Sequence, residues 1–297
     1  MAKKKYEESN IQAIAETIRS KTGTEKTYDT SEMADGVNEV YDKGRTDEHN
    51  DFWAKYQAKG EVPFGYGKST YLFANPNWND ETFFPKYDIN LSGSCQEVFT
   101  NNACTNLKKR LEDCGVRIKS TSSSGITSVN NMFRNVATTE LPPIYNTGAN
   151  SGFSVQRFCD SAKNLIKVPY YEFFEYAVNY NAAFANCSSL IEIEGIDFSS
   201  ATDTSRVVVG CTSLTTITVY GTIPIGISFA DSPLSVESMK SVISCLKDYS
   251  TENQGAYTLT LKDTCKTVLE ADTDTVEFNG QTYTYFNLIT AKGWNLA

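Results

Sequence analysis

Phe184-Ala-Asn-Cys187-Ser-Ser-Leu190-Ile-Glu-Ile193 is the phrase on which the fold turns, because the chain repeats it. One copy precedes it as Phe158-Cys-Asp-Ser-Ala-Lys-Asn-Leu165-Ile-Lys-Val168, and one follows as Val208-Val-Gly-Cys211-Thr-Ser-Leu214-Thr-Thr-Ile217. Looser copies start at Phe73, Phe99, Phe133 and Phe229. Successive anchors lie 26, 34, 25, 26, 24 and 21 residues apart. A period of roughly 20–29 residues is that of leucine-rich solenoids, whose units bury their apolar faces only by stacking on one another. The expected fold is therefore α+β: a leucine-rich-repeat solenoid with a short parallel strand ladder, N-terminal helices and a C-terminal α/β cap. Three regions are expected, at 1–60, 61–234 and 235–297.

Each anchor is expected to open a helical turn facing inward, as at Val129, Met132 and Phe133. The Leu-x-x-Ile/Val run that follows should be a strand, and the anchors should form one buried column with Cys187 against Cys211. The long interval holds an excursion at Arg110–Gly125, read as a surface loop. After Pro233, Ser235 caps a helix with Val236, Met239, Val242, Ile243 and Leu246 on one face. A strand at Tyr257–Leu261 follows, and Asn279-Gly280 then signals a hairpin.

Before the repeats, Ser9 can cap a helix carrying Ile11, Ile14, Ala15 and Ile18 on one side. Asp29 and Glu32 have capping-box spacing ahead of a second stripe at Met33, Val37, Val40 and Tyr41. The helices fall at about 9–21 and 30–58. Such narrow stripes fit packing on copies of themselves or on a partner, or folding back as a cap on the repeats; both readings stand.

The net charge of −9 and pI of about 4.8 repel phosphate backbones, which argues against nucleic-acid binding. Lys3-Lys4-Lys5 reads as a solvated tail. No apolar run is long enough to insert in a membrane, and the opening residues predict no secretory signal. Cys187 and Cys211 share a repeat position, while Cys95, Cys104, Cys114, Cys159, Cys245 and Cys265 show no CxxC pairing. Free, mostly buried thiols and no metal site are expected.

No catalytic constellation is legible, and no cofactor is expected. Gly65-Tyr-Gly67-Lys68-Ser69 looks like the end of a phosphate-binding loop, but Val62 stands where its first glycine belongs. His49, the only histidine, sits among charges with no placed nucleophile. Asp272, Asp274 and Glu277 lack a calcium-loop glycine and read as an acidic loop. A binding role is expected instead at Tyr170, Tyr171, Phe173, Phe174, Tyr176 and Tyr180, six aromatics in eleven residues. The competing reading sends Phe173 and Phe174 into the core, with the tyrosines covering the gap between repeats.

With its Phe-x-x-Cys-x-x-Leu repeats, the chain resembles BspA-like leucine-rich repeats of bacterial surface proteins and prophages. Asn10 through Gly23, with Ser31-Glu-Met-Ala34, is similar to the start of tail-associated proteins of phages that infect Gram-positive bacteria. Asp51-Phe-Trp53 through Gln57, and Trp78 through Ile89, are similar to a recurrent prophage repeat protein. The resemblance implies a non-enzymatic phage tail-tip or baseplate fibre that binds a host receptor. It would be made in the host cytoplasm and carried in the virion tail. Its partners would be copies of itself (a homotrimer), tail or baseplate proteins, and a host-surface glycan or protein. The alternative is a bacterial surface adhesin or protein-interaction module with the same repeats.

Overall fold

The computed structural model describes residues 89–297 except 92, 114, 121–124 and 146, and also a two-residue strand at Val62–Pro63. The chain divides into two units, Met1–Val62 and Pro63–Ala297. The helices expected at 9–21 and 30–58, the first repeat at Phe73, His49, Cys114 and the Gly65–Ser69 segment lie outside the described residues.

The described part is mixed α/β, with few helices and short parallel sheets that do not close into a barrel. One sheet joins β1 (Ile89–Leu91), β3 (Ile118–Ser120) and β5 (Ile144–Tyr145). A second joins β2 (Gly93–Ser94), β4 (Ile126–Ser128), β6 (Phe153–Ser154) and β8 (Ala177–Asn179). A third joins β7 (Lys167–Val168), β9 (Glu192–Asp197) and β10 (Thr216–Tyr220), all parallel. Each strand pairs with its counterpart one repeat later, so the parallel ladder expected from the Leu-x-x-Ile runs is present.

Tight turns between the strands carry the anchors, and their backbones hydrogen-bond from one repeat to the next. The Phe99 amide donates to the Met132 carbonyl at 2.8 Å, Phe133 to Phe158 at 2.7 Å, Cys159 to Ala183 at 2.9 Å, and Phe184 to Val207 at 2.9 Å. Phe99, Phe133, Cys159, Phe184 and Val208 therefore lie level. Phe158 is not in this column: it sits one residue earlier, beside Met132 and Ala183. It is still fully buried, and its ring meets Phe133 edge-on at 5.3 Å. Phe99 and Phe133 stack at 5.1 Å.

These turns are not helical, which corrects the sequence reading. Two residues in each have positive φ: Glu97 and Asn101, Asn131 and Asn135, Arg157 and Ser161, Ala182 and Asn186, Arg206 and Gly210. Left-handed residues break helical progression, and asparagine and glycine tolerate them best. Cys187 and Cys211 occupy matching places beyond the anchors. Each thiol donates to the carbonyl of the previous anchor residue, Cys159 and Phe184 respectively, at 3.0 Å. Cys95, Cys104, Cys159, Cys187, Cys211, Cys245 and Cys265 are free thiols, and all but Cys245 are buried.

The Arg110–Gly125 excursion is also more ordered than a loop. It begins within α1 (Leu107–Asp113), which buries Leu107 and Leu111, and it supplies β3.

Beyond the repeats, β11 (Ile227–Phe229), β12 (Thr258–Leu261) and β15 (Asn295–Leu296) make a parallel sheet. Ser235 caps α2 (Val236–Cys245) by accepting the Ser238 amide, as expected. Then come α3 (Asp263–Ala271), the hairpin β13 (Thr275–Phe278) and β14 (Gln281–Thr284), and α4 (Tyr285–Ala291). Asn279 and Gly280, with φ of 49° and 75°, form its turn. Lys292 is buried, and its ammonium donates to the carbonyls of Ile243, Ser244 and Leu246 at the end of α2. The Ile243 carbonyl also accepts the Leu246 amide at 3.2 Å, and the positive charge suits the helix's negative end. Trp294 is buried beside Tyr249 and Tyr257, with its indole nitrogen donating to the Lys247 carbonyl.

Candidate functional site

The aromatic segment divides sharply between core and surface. A 3₁₀ turn at Glu172–Tyr176 drives Phe173 and Phe174 inward. There they meet Phe153, Phe158, Tyr171 and Phe184. Tyr171 is buried as well, and its hydroxyl donates to the Pro142 carbonyl at 2.8 Å. Tyr180 is buried against Phe198 and donates to the carbonyls of Phe174 and Asp197. Tyr171, Phe173, Phe174 and Tyr180 are therefore core residues, and the expectation that they contact a ligand is corrected.

Only Tyr170 and Tyr176 of the six stay on the surface, 39% and 41% exposed. Tyr170 joins a residue that sequence reading missed. The ring of Tyr220, at the end of β10 and 50% exposed, meets it edge-on at 5.8 Å. Both rings lie over Gly195 in β9. A Cβ there would come within 2.6 Å of Tyr220 Cε2 and 3.1 Å of Tyr170 Cδ2. The glycine lets the rings lie this close to the strand, and a side chain there would push the Tyr220 ring aside.

Electrostatics around the pair is one-sided. The Tyr170 hydroxyl donates to Glu175 Oε1 at 2.6 Å. Burial first, and then the Glu175, Asp197 and Glu172 carboxylates, push this phenol far above its ordinary range. Asp197 is the register partner of Tyr220 across β9 and β10, and its Oδ1 accepts the Ser199 amide at 2.7 Å. The nearby cation, Lys167, is held by Glu192 at 3.2 Å and Glu194 at 2.5 Å. Among the described residues, no lysine or arginine pairs with Glu172, Glu175 or Asp197.

The remaining clusters have partners or offer less chemistry. Asp272 and Asp274 bind the ammonium of Lys240, which lies 3.0 Å from Asp272, so these carboxylates have a structural occupation. A cleft of about 280 Å³ beside α1 is lined by Leu111, Val116, Ile118, Pro142, Pro143 and Tyr145, and is largely apolar. An open groove of about 470 Å³ runs past Asp203, Arg206, Ser228 and Tyr257. No helix among the described residues is long and apolar enough to cross a membrane.

Compared with known proteins, the chain matches no family model, no curated protein and no solved structure.

Proposed function

We propose that this chain is a receptor-binding structural protein of a phage tail tip or baseplate. In this reading residues 61–234 form a leucine-rich-repeat solenoid that presents a surface to the host envelope, and the N-terminal region attaches it to the tail or trimerises it. The observation that carries the reading is the Tyr170–Tyr220 pair, two large rings kept at the surface over a glycine. Exposed tyrosines bring rigid area and a hydroxyl at small entropic cost, which suits recognition of glycans and proteins alike. Repeats that stack level with one another support the solenoid, and the sequence resemblance supports the tail assignment.

The test is adsorption. Purified full-length protein should compete with virions for host cells, and the triple variant Tyr170→Ala, Tyr176→Ala and Tyr220→Ala should not. Antibody labelling should decorate the virion tail tip. Labelling of the bacterial surface without virions would favour an adhesin built on the same repeats.

A further inference from the structure

The outward face of the β7–β9–β10 sheet has a charge pattern that narrows its ligand. Alternation along β10 turns Thr216, Thr218 and Tyr220 outward, and Glu192 and Glu194 project from β9. Lys167 is already neutralised by those two glutamates. Glu172, Glu175 and Asp197 are not neutralised, and all three act on the Tyr170 hydroxyl. The face therefore combines an open tyrosine ring with unpaired negative charge.

We propose that the Tyr170–Tyr220 platform takes the protonated amino group of a de-N-acetylated envelope glycan, resting on the reading of this face as the receptor contact. A cation against an aromatic face gains from the ring quadrupole, and the carboxylates of Asp197 and Glu175 add direct attraction. A neutral sugar can stack on Tyr220 but leaves the carboxylate charge unused. A phosphate-bearing polymer is repelled by the same carboxylates. A protein partner fits less well, because stable interfaces are centred on buried apolar residues depleted of charge. Here the neighbours of the two rings are glutamates, threonines and a paired lysine.

The Tyr220 hydroxyl has no hydrogen-bond partner among the described residues, so it remains available to a sugar hydroxyl. Gly195 leaves room for this geometry, because a Cβ there would come within 2.6 Å of the Tyr220 ring. Tyr220, Asp197 and Glu175 are then the contact residues, with Gly195 as the positioning residue beneath the two rings.

The test uses the full chain and two probes, a fully de-N-acetylated β1,4-glucosamine tetramer and its N-acetylated counterpart, titrated calorimetrically at mildly acidic pH. The amino form should bind about tenfold or more tighter, and this advantage should shrink as salt is raised. Tyr220→Ala and Asp197→Asn should each remove the preference without lowering the melting temperature. If Asp197→Asn disturbs the turn at Ser199, Glu175→Gln provides a second carboxylate removal, and an unchanged preference in that folded variant overturns the proposal. Equal affinity for both tetramers, or no binding of either by protein that still adsorbs to cells, overturns the amino-group inference and leaves the receptor reading standing. Adsorption that disappears when cells are treated with protease, with neither tetramer bound, overturns it in favour of a protein receptor. A protein that neither adsorbs nor binds either tetramer overturns both readings.

Discussion

The turn columns and the outward face of the β7–β9–β10 sheet use polar side chains in opposite ways. In the columns, polar groups are consumed between repeats. Asn135 donates to Asn101 at 2.9 Å, Asn186 to Asp160 at 3.1 Å, and the Gly210 amide to Asp231 at 2.8 Å. On the sheet face, the Tyr220 hydroxyl has no partner among the described residues, and Glu175 and Asp197 accept from Tyr170 and Ser199 but pair with no lysine or arginine there. Substitutions in the columns should therefore act on stability, and those on the face should act on binding. The useful marker of a site here is carboxylate charge without a cation and an unpartnered hydroxyl, not aromatic density.

That contrast can be broken by measurement. The largest effect belongs to an anchor: Phe133→Ala, fully buried between Phe99 and Phe158, should cost about 3–5 kcal/mol in a denaturant titration. Adjacent repeats should open with it, visible as lost amide protection. Next is Gly210→Val, at φ of 74° with a new Cβ 3.0 Å from Asn186 Oδ1. It should cost about 2 kcal/mol, since a left-handed backbone alone costs roughly 1–2 kcal/mol for a residue with a Cβ. A melting curve unchanged by this substitution would show that the columns are not under that constraint.

Tyr171→Phe should cost about 1 kcal/mol near neutrality by leaving the buried Pro142 carbonyl unpaired. Burial holds the Tyr171 pKa well above 10.0 in the folded protein. Its contribution is present below pH 10.0 and is lost as pH climbs toward the folded value. The gap between wild type and variant should therefore narrow above pH 10.0, and a gap that stays constant would contradict this. The smallest stability effect is expected at Tyr220→Ala, within about 0.5 kcal/mol, typical of surface sites. A larger loss would move Tyr220 from the displayed face into the structural set.

The repeat period, the parallel strands, the helix capped by Ser235 and the Asn279-Gly280 hairpin were all readable because they depend on local pattern. The level of Phe158 was misread, although a clue was present. Leu190 and Leu214 follow Phe184 and Val208 by six residues, whereas Leu165 follows Phe158 by seven. Counting back six gives Cys159, the residue that the backbone places in the column. The left-handed turns had a signal too, in the asparagine two positions after Phe99, Phe133 and Phe184. Taking that asparagine into account would have argued against a helical turn.

The site was only half visible for a different reason. Tyr170 and Tyr220 are fifty residues apart, and only the stacking of β9 between their segments brings them together. No local period encodes that meeting. Gly195 also stayed unremarked, because its role lies in the rings that cover it. Lys292 was missed similarly: its carbonyl partners at the end of α2 are more than forty residues earlier in the chain.

The unequal spacing of the anchors has an evolutionary consequence. The left-handed positions stay level although the chain between them takes 34, 26, 25 or 24 residues. The longest interval absorbs its surplus around α1 without disturbing Phe99 against Phe133. Lengthening a closed segment adds only a slowly growing entropic cost, and surface connections tolerate insertion. Such a rack can exchange the segments it displays while its pins stay fixed, so diverging copies can change their outer segments and inherit the scaffold unchanged.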